Sequence, residues 1–327
     1  MTFAKKALVF GTLAALGAGA TATAQGTLSG AGASFPAPFY QRAFADLASS
    51  GGPKVNYQSV GSGAGVRQFV AGSVDFGATD EPIKPAEAAK VSRGVVQFPS
   101  VGGTIAIAYN KADCPSLKLT QKQAVDVFLG TIKKWEDLKC GKGPIKVVHR
   151  SDGSGTTFAF TNSLSAFSPA WKSKVGEGKS VNWPVGVGGK GNEGVAGVIT
   201  NTPGAIGYLN QAFVKGNIKA AALQNRAGNF VKPNLKSGAA ALNNIKLNPQ
   251  LAGEDPNPAG ADSYPISTLT WILAYGKGNG AKAPTIRKAM DYLLSPAAQN
   301  KADDLGYVPL RGAILTQAKA AVNKIQP

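Results

Sequence analysis

The sequence predicts an α/β protein with mainly parallel strands, and two observations predict it. Apolar runs of strand length alternate with runs whose apolar residues recur at helical spacing, along most of the chain. Several apolar runs also stop at small Gly/Ser/Thr turns that open a helix, as strands feed helices in layered α/β proteins. In chain order, residues 39–47 form an amphipathic helix. Residues 55–60 read as a strand, the GSGAG turn follows, and a helix runs from about 66 to 70. A strand over 74–78 ends at Thr79-Asp80. Residues 94–110 hold two apolar extended runs separated by Pro99 and Gly102-Gly103. A helix over 120–129 puts Ala124, Val125, Phe128 and Leu129 on one face. Strands over 145–149, 205–209 and 267–275 and helices over 285–294 and 314–324 complete the pattern.

The first 24 residues stand apart from this pattern. Lys5 and Lys6 precede a Gly/Ala-rich apolar run over 7–20, and Ala22-Thr23-Ala24 is a small-x-small cleavage sequence. This reads as a secretory signal peptide cleaved near Ala24, so a periplasmic, secreted protein is expected. No Cys sits at the cleavage point to carry a lipid, and no later apolar stretch is long enough to span a bilayer, so no stable membrane insertion is expected. About 300 residues remain, enough for two domains with separate cores. No flexible linker divides them, so any crossing between domains must be a structured strand. Residues 97–101 and 263–266 are the candidates. They give a discontinuous first domain, 25–98 with 266–327, and a second domain over 99–265.

The two cysteines, Cys114 and Cys140, lie in the exported part. An oxidising compartment favours a disulfide between them, and two free thiols are the alternative. Closing a loop of about 26 residues stabilises by roughly 3–4 kcal/mol in the chain-entropy model. Two Cys and one His do not make a zinc site, and no metal or cofactor is expected. The formal charge is +17, of which two charges belong to the leader. Such a surface favours anionic partners. Export and the scatter of the lysines argue against nucleic acid.

Three turns carry the chemistry. GAGASFPAPFY at 30–40, GSGAGVRQF at 61–69 and RSDGSGTTFAF at 150–160 each place hydroxyls and free backbone N–H groups at a helix start, where anions bind. In the first, Ser34 is expected to cap the helix, with Pro36 in its first turn and the Phe35 N–H facing a cleft. Taken alone, this turn reads as an ordinary Ser cap. In the second, Gly61, Gly63 and Gly65 let the backbone approach a ligand, and Ser62 adds a hydroxyl. In the third, Arg150 offers a planar fork of donors, and Ser154, Gly155 and Thr156 supply hydroxyls and N–H groups. Asp152 is placed to hold Arg150 or to cap the helix. Asp80, downstream of the second turn, either caps a short helix at Glu81-Pro82 or faces the ligand. A carboxylate is an acceptor only, so it tolerates an anion that carries a proton, such as monohydrogen phosphate, and rejects one that does not, such as sulfate.

Other motifs are weaker. Gly186, Gly188 and Gly191 satisfy G-x-G-x-x-G, but in a chain with 41 Gly that spacing recurs by chance. The Lys190-Gly191 step lacks the Ser or Thr that a phosphate-binding P-loop needs. His149 neighbours Arg150 on a strand and points to the opposite face, and Ser154 lies outside any G-x-S-x-G sequence, so a nucleophilic pair is not supported. Trp135, Trp171, Trp183 and Trp271 read as packing residues.

These segments, with VNYQSVGSGAG, VDFGATDEPI, HRSDGSGTTFAF, WPVGVGGKGNEGV and PGAIGYL, resemble in order those of the periplasmic phosphate-binding proteins of the high-affinity phosphate ABC importer. The resemblance covers nearly the whole exported chain. It implies a type II periplasmic binding protein fold, two α/β domains closing over one dehydrated phosphate in the cleft between them. It implies Ser34, the Phe35 N–H, Ser62, Asp80, Arg150, Ser154, the Gly155 N–H and Thr156 as ligands, with Asp152 pairing Arg150. It also implies a monomer that delivers inorganic phosphate to the permease subunits of an ABC transporter, without catalysis. Ser34 and Thr79 stand where many relatives have Thr and Ser, and both changes keep a hydroxyl. The cysteine pair and the strong basicity are not general family marks. The alternatives are the same fold holding arsenate, phosphite or sulfate, and a phosphatase using Ser154 or Ser62.

Overall fold

The computed structural model describes Thr2 and residues 26–327. The leader assigned to residues 1–24 falls, but for Thr2, outside the described residues. The chain opens with β1 (Leu28–Gly32), α1 (Ala37–Ser49), β2 (Val55–Ser59), α2 (Ser62–Val70), β3 (Phe76–Thr79), α3 (Pro85–Ala88) and the long strand β4 (Val95–Asn110). It continues through β5 (Lys118–Leu119), α4 (Gln121–Phe128), β6 (Lys146–Arg150), α5 (Gly155–Phe167), α6 (Pro169–Lys174), β7 (Val187–Gly189), α7 (Gly191–Asn201), β8 (Ala205–Asn210), β9 (Lys219–Ala220), β10 (Ala222–Gln224), β11 (Phe230–Val231) and α8 (Leu235–Leu242). It ends with β12 (Ser267–Tyr275), α9 (Ala283–Leu293), α10 (Pro296–Asp304) and α11 (Gly312–Val322).

Local sequence explains most boundaries. α1 starts after Pro36 and buries Phe39, Tyr40, Ala43, Phe44 and Leu47, one helical face. Each such aromatic or leucine contributes about 1.5–3 kcal/mol on burial. Thr120 caps α4, accepting from the Gln123 N–H while the Gln123 side chain returns to the Thr120 N–H. Two boundaries differ from the expectation. The N-cap of α1 is Pro36, so Ser34 lies outside the helix and its hydroxyl does not cap. The helix expected from residue 66 begins at Ser62, because the GSGAG segment is itself the first turn. Gly61, at φ 85°, ends the strand-to-helix turn in a conformation that favours glycine.

The main sheet has nine strands, ordered β2-β1-β3-β12-β4-β8-β6-β7, with β9 also pairing β4. β11, β10 and β5 form a separate small sheet. The expectation of mainly parallel strands is corrected. β1–β2, β1–β3, β6–β7 and β6–β8 are parallel, but β12 is antiparallel to both β3 and β4, and β4 to β8. The reason is topological, since β4 carries the chain out of one half of the sheet and β12 begins where it returns. β4 pairs with β12 as far as Thr104 and with β8 from Ile105 onward. At that change of partner the Ile105 N–H donates to the carbonyl of Ile266, just before β12. Pro99 and Gly102-Gly103 do not break β4. The register shifts opposite Thr270 and Trp271, and Ser100 is the extra residue beside Pro99.

These directions position the site. β4 runs parallel to β3, and β8, β6 and β7 run against it. The parallel strands of the two halves therefore point their carboxyl ends at each other. Cys114 and Cys140 are disulfide-bonded, with Cα atoms 4.9 Å apart, near the opposite end of β6. Among the described residues, no helix is long and apolar enough to cross a membrane.

Candidate functional site

All three turns, Asp80 and Arg150 meet where those carboxyl ends converge. Ser34 follows β1, Ser62 opens α2 after β2, and Asp80 follows β3. Arg150 ends β6, and Ser154 caps α5 by accepting from the Thr157 N–H at 3.0 Å. Ser34, Phe35, Ser62, Asp80, Arg150, Ser154 and Thr156 are each at most 4% exposed, so the site is sealed from solvent. The backbones touch directly, the Gly63 N–H donating to the Gly153 carbonyl at 2.8 Å. Gly155 is required for this approach. A methyl group there would lie 2.7 Å from the Cβ and N of Asp80 and from Ser62 Oγ. A separate apolar cavity of about 860 Å³, bounded by Ile83, Val96, Pro249 and Leu251, shares none of these residues.

The polarity of the site is one-sided. Ser34 Oγ accepts from the backbone N–H and the side-chain Nδ2 of Asn192, both at 2.9 Å. Ser62 Oγ accepts from the Asp80 N–H at 3.2 Å, and Ser154 Oγ from Thr157. None of the three hydroxyls donates within the described protein. The first N–H groups of α5, at Gly155 and Thr156, and the Phe35 N–H form no hydrogen bond there either. Arg150 is held by Asp152 through two bonds, Nε to Oδ1 at 2.8 Å and Nη2 to Oδ2 at 2.6 Å. Its remaining nitrogen, Nη1, is buried without a hydrogen-bond partner among the described residues. A buried donor left unpaired costs about 1–3 kcal/mol. Several in one chamber describe a receptor for an acceptor-rich, anionic group.

Asp80 is the exception among these donors. It does not cap the nearby helix, which begins at Pro85 after an N-cap at Lys84. Its Oδ1 accepts from Thr270 at 2.8 Å and its Oδ2 from Thr156 at 3.2 Å. Burial pushes its pKa up to about 7, against the opposing pull of the Thr270 hydroxyl, the Arg150 charge and the Thr156 hydroxyl. Asp152 shows the reverse balance. Burial raises it, but the Arg150 bonds and charge and the Gly191 N–H leave it below the ordinary carboxylate range.

Sequence reasoning missed two contributors. Asn192, at the start of α7, bridges Ser34 and Thr156 through Nδ2 at 2.9 and 3.1 Å. Thr270 lies in the apolar run of β12; the pairing of Trp271 with Thr79 brings it beside Asp80. The signals were a cap-type residue at the first turn of a helix, and a polar residue alternating through an apolar strand. Three buried tyrosines brace the turns from behind. Tyr57 donates to the Ala33 carbonyl, Tyr307 to the Phe35 carbonyl, and Tyr208 accepts from the Arg150 N–H. His149 stacks on Trp183 with ring centroids 5.0 Å apart, and its Nδ1 is 3.0 Å from the Arg150 carbonyl oxygen.

The family model for the PBP superfamily domain matches residues 17–297. The chain is 42% identical over 311 residues to the phosphate-binding protein PstS of Pasteurella multocida (strain Pm70), spanning 90% of this chain and 89% of that protein. The chain belongs to this family. It is also 41% identical over 310 residues to the phosphate-binding protein PstS of Haemophilus influenzae, spanning 90% and 92% of the two chains. Its fold is shared by a high-affinity periplasmic phosphate-binding protein solved with bound phosphate, at a TM-score of 0.75 and 22% identity, covering 90% of this chain and 93% of that one.

Proposed function

We propose that this protein is an exported receptor that captures inorganic phosphate and presents it to the permease of an ABC importer. The observation that carries the reading is the set of buried donors without protein acceptors gathered around one buried carboxylate. The hydroxyls of Ser34, Ser62 and Ser154, the N–H groups of Phe35, Gly155 and Thr156, and Nη1 of Arg150 would bind phosphate oxygens. Asp80 would accept the proton of monohydrogen phosphate. Dehydrating such an anion is expensive, and a full set of aligned donors offsets it. Thr156 would accept from Asn192 while donating to Asp80 or to the ligand. Binding and release are the whole cycle in this reading, with no covalent step, in a monomeric periplasmic protein.

Closure of two domains about their strand crossings would admit and seal the ligand. In this reading the crossings would lie near Thr104–Ile105 and Ile266, which the pairing of β4 with β12 through Thr104 supports, a few residues beyond the 98–99 boundary expected from the sequence.

Titration of the exported chain with phosphate, beside its Arg150→Ala variant, tests the reading. Truncating a buried, hydrogen-bonded charge costs about 2–5 kcal/mol, so the variant should lose at least about thirtyfold in affinity. Unfolding curves should show the fold retained, since among the described residues the Arg150 side chain pairs with Asp152 alone. Equal affinities would remove Arg150 from the site. Arsenate, which has the same shape and proton, should compete for the site.

A further inference from the structure

We propose that Asn192 is a positioning residue that commits the Ser34 hydroxyl to donation, and so gives the closed chamber its preference for an unprotonated oxygen at that position. The inference rests on the phosphate reading above and adds a residue to it. A serine hydroxyl has two acceptor lone pairs and one proton. At Ser34 both lone pairs are occupied by a single residue, the backbone N–H and Nδ2 of Asn192, each at 2.9 Å. Only the proton remains to meet a ligand. A ligand oxygen bearing hydrogen finds no acceptor there, whereas a bare oxygen finds a donor.

The orientation of the Asn192 amide is fixed by the protein. Its Oδ1 accepts from the backbone N–H of Asn210 at 2.8 Å, and a backbone N–H can only donate. Nδ2 is therefore the atom turned toward Ser34 and Thr156. Thr156 Oγ1 receives Nδ2 at 3.1 Å and reaches Asp80 Oδ2 at 3.2 Å, so its proton too is directed away from Asn192. Asn192 is fully buried. Ser34 follows β1 and Asn192 opens α7 after β7, so the contact joins the two facing sets of strand ends. The hydroxyl thus acquires its committed direction only when the two halves meet.

A mutant cycle on the exported chain tests this, with phosphate affinity measured by calorimetry. Asn192→Ala frees one lone pair of Ser34 and should weaken phosphate binding by about tenfold to a hundredfold. Combined with Ser34→Ala, it should cost distinctly less than it does alone, the remainder coming from its bond to Thr156. Combined with Ser62→Ala, its effect should multiply in full, because Ser62 is oriented by the Asp80 N–H instead. A residue that merely helped the halves close would couple equally to both serines. Asn192→Asp keeps the shape and the Asn210 contact but turns a donor into an acceptor. It should lose more than a hundredfold, and it carries the test if Asn192→Ala does not fold. Unchanged affinity in these variants, or equal coupling to Ser34 and Ser62, overturns the inference while leaving the phosphate reading intact. An unmodified chain that does not bind phosphate overturns both.

Discussion

Asp80, which carries selectivity in the proposed function, has a carboxyl whose pKa is pushed up to about 7 by burial. Its folded value lies above the ordinary 3.8, so the unliganded protein is favoured by this group below that value and loses the contribution as pH rises to about 7. Binding should follow the same titration. Above about 7 the group is acceptor-only and repels an anion without a proton; below it, the neutral carboxyl has a proton to donate. Sulfate affinity should therefore rise by about tenfold or more from pH 8 to pH 5.5, one pKa unit of preference being a factor of ten. In Asp80→Asn, whose amide donates at every pH, this dependence should vanish. A flat sulfate profile in the unmodified chain would contradict the role assigned to Asp80. At this scale the sequence was most legible where a residue type is chemically conspicuous, as with Arg150, Asp152 and Asp80. Thr270 was hidden because its neighbours in β12 are the apolar residues of a buried strand, and only the β3–β12 ladder brings it to Asp80. Asn192 was hidden for a related reason, since its partners lie more than a hundred residues away in Ser34 and on a different helix in Thr156.

The elements deliver these groups because helix starts meet strand ends, and glycine permits the contact. Gly155→Ala would put a methyl group against Asp80 and Ser62, residues of the opposite half of the sheet. It should cost at least a hundredfold in phosphate affinity while hardly changing the unfolding temperature of the unliganded protein, because the clash arises only when the halves meet. Loss of stability without loss of affinity would refute that placement. The disulfide is the converse case. Cys114 and Cys140 lie toward the start of β6, whereas Arg150 is at its end, about 13 Å further along at strand rise. Cys114→Ser with Cys140→Ser should lower stability by about 3–4 kcal/mol and leave phosphate affinity nearly unchanged, as read from denaturant unfolding and titration. Element types were legible for the periodic segments, β12 most closely, because strand and helix periods are local properties. The long β4 was not, since Pro99 and Gly102-Gly103 look like breaks until the bulge at Ser100 and the pairing with β12 accommodate them. Strand direction was not legible either, because it depends on where the chain returns.

The whole molecule is arranged so that the two sets of parallel strands aim at one chamber while β4 and β12 run between them. Several contacts between the two facing sets of strand ends are polar. Lys179 Nζ lies 2.9 Å from Glu81 Oε2, Ser59 Oγ donates to Glu193 Oε1 at 2.8 Å, and Asn192 reaches Ser34. Polar contacts of this kind can be exchanged for water at modest cost, which suits the opening and closure proposed above. The basic surface, with a formal charge of +17 over the whole sequence, would draw small anions toward the cleft in a salt-dependent way. The central claim, that the chamber selects a protonated tetrahedral anion, is tested most directly by titrating the exported chain with phosphate and with sulfate at pH 8. Phosphate should bind tightly and sulfate more weakly by at least about tenfold, the cost of protonating a carboxyl of pKa about 7 at pH 8. Sulfate binding as tight as phosphate, or no phosphate binding, would contradict it.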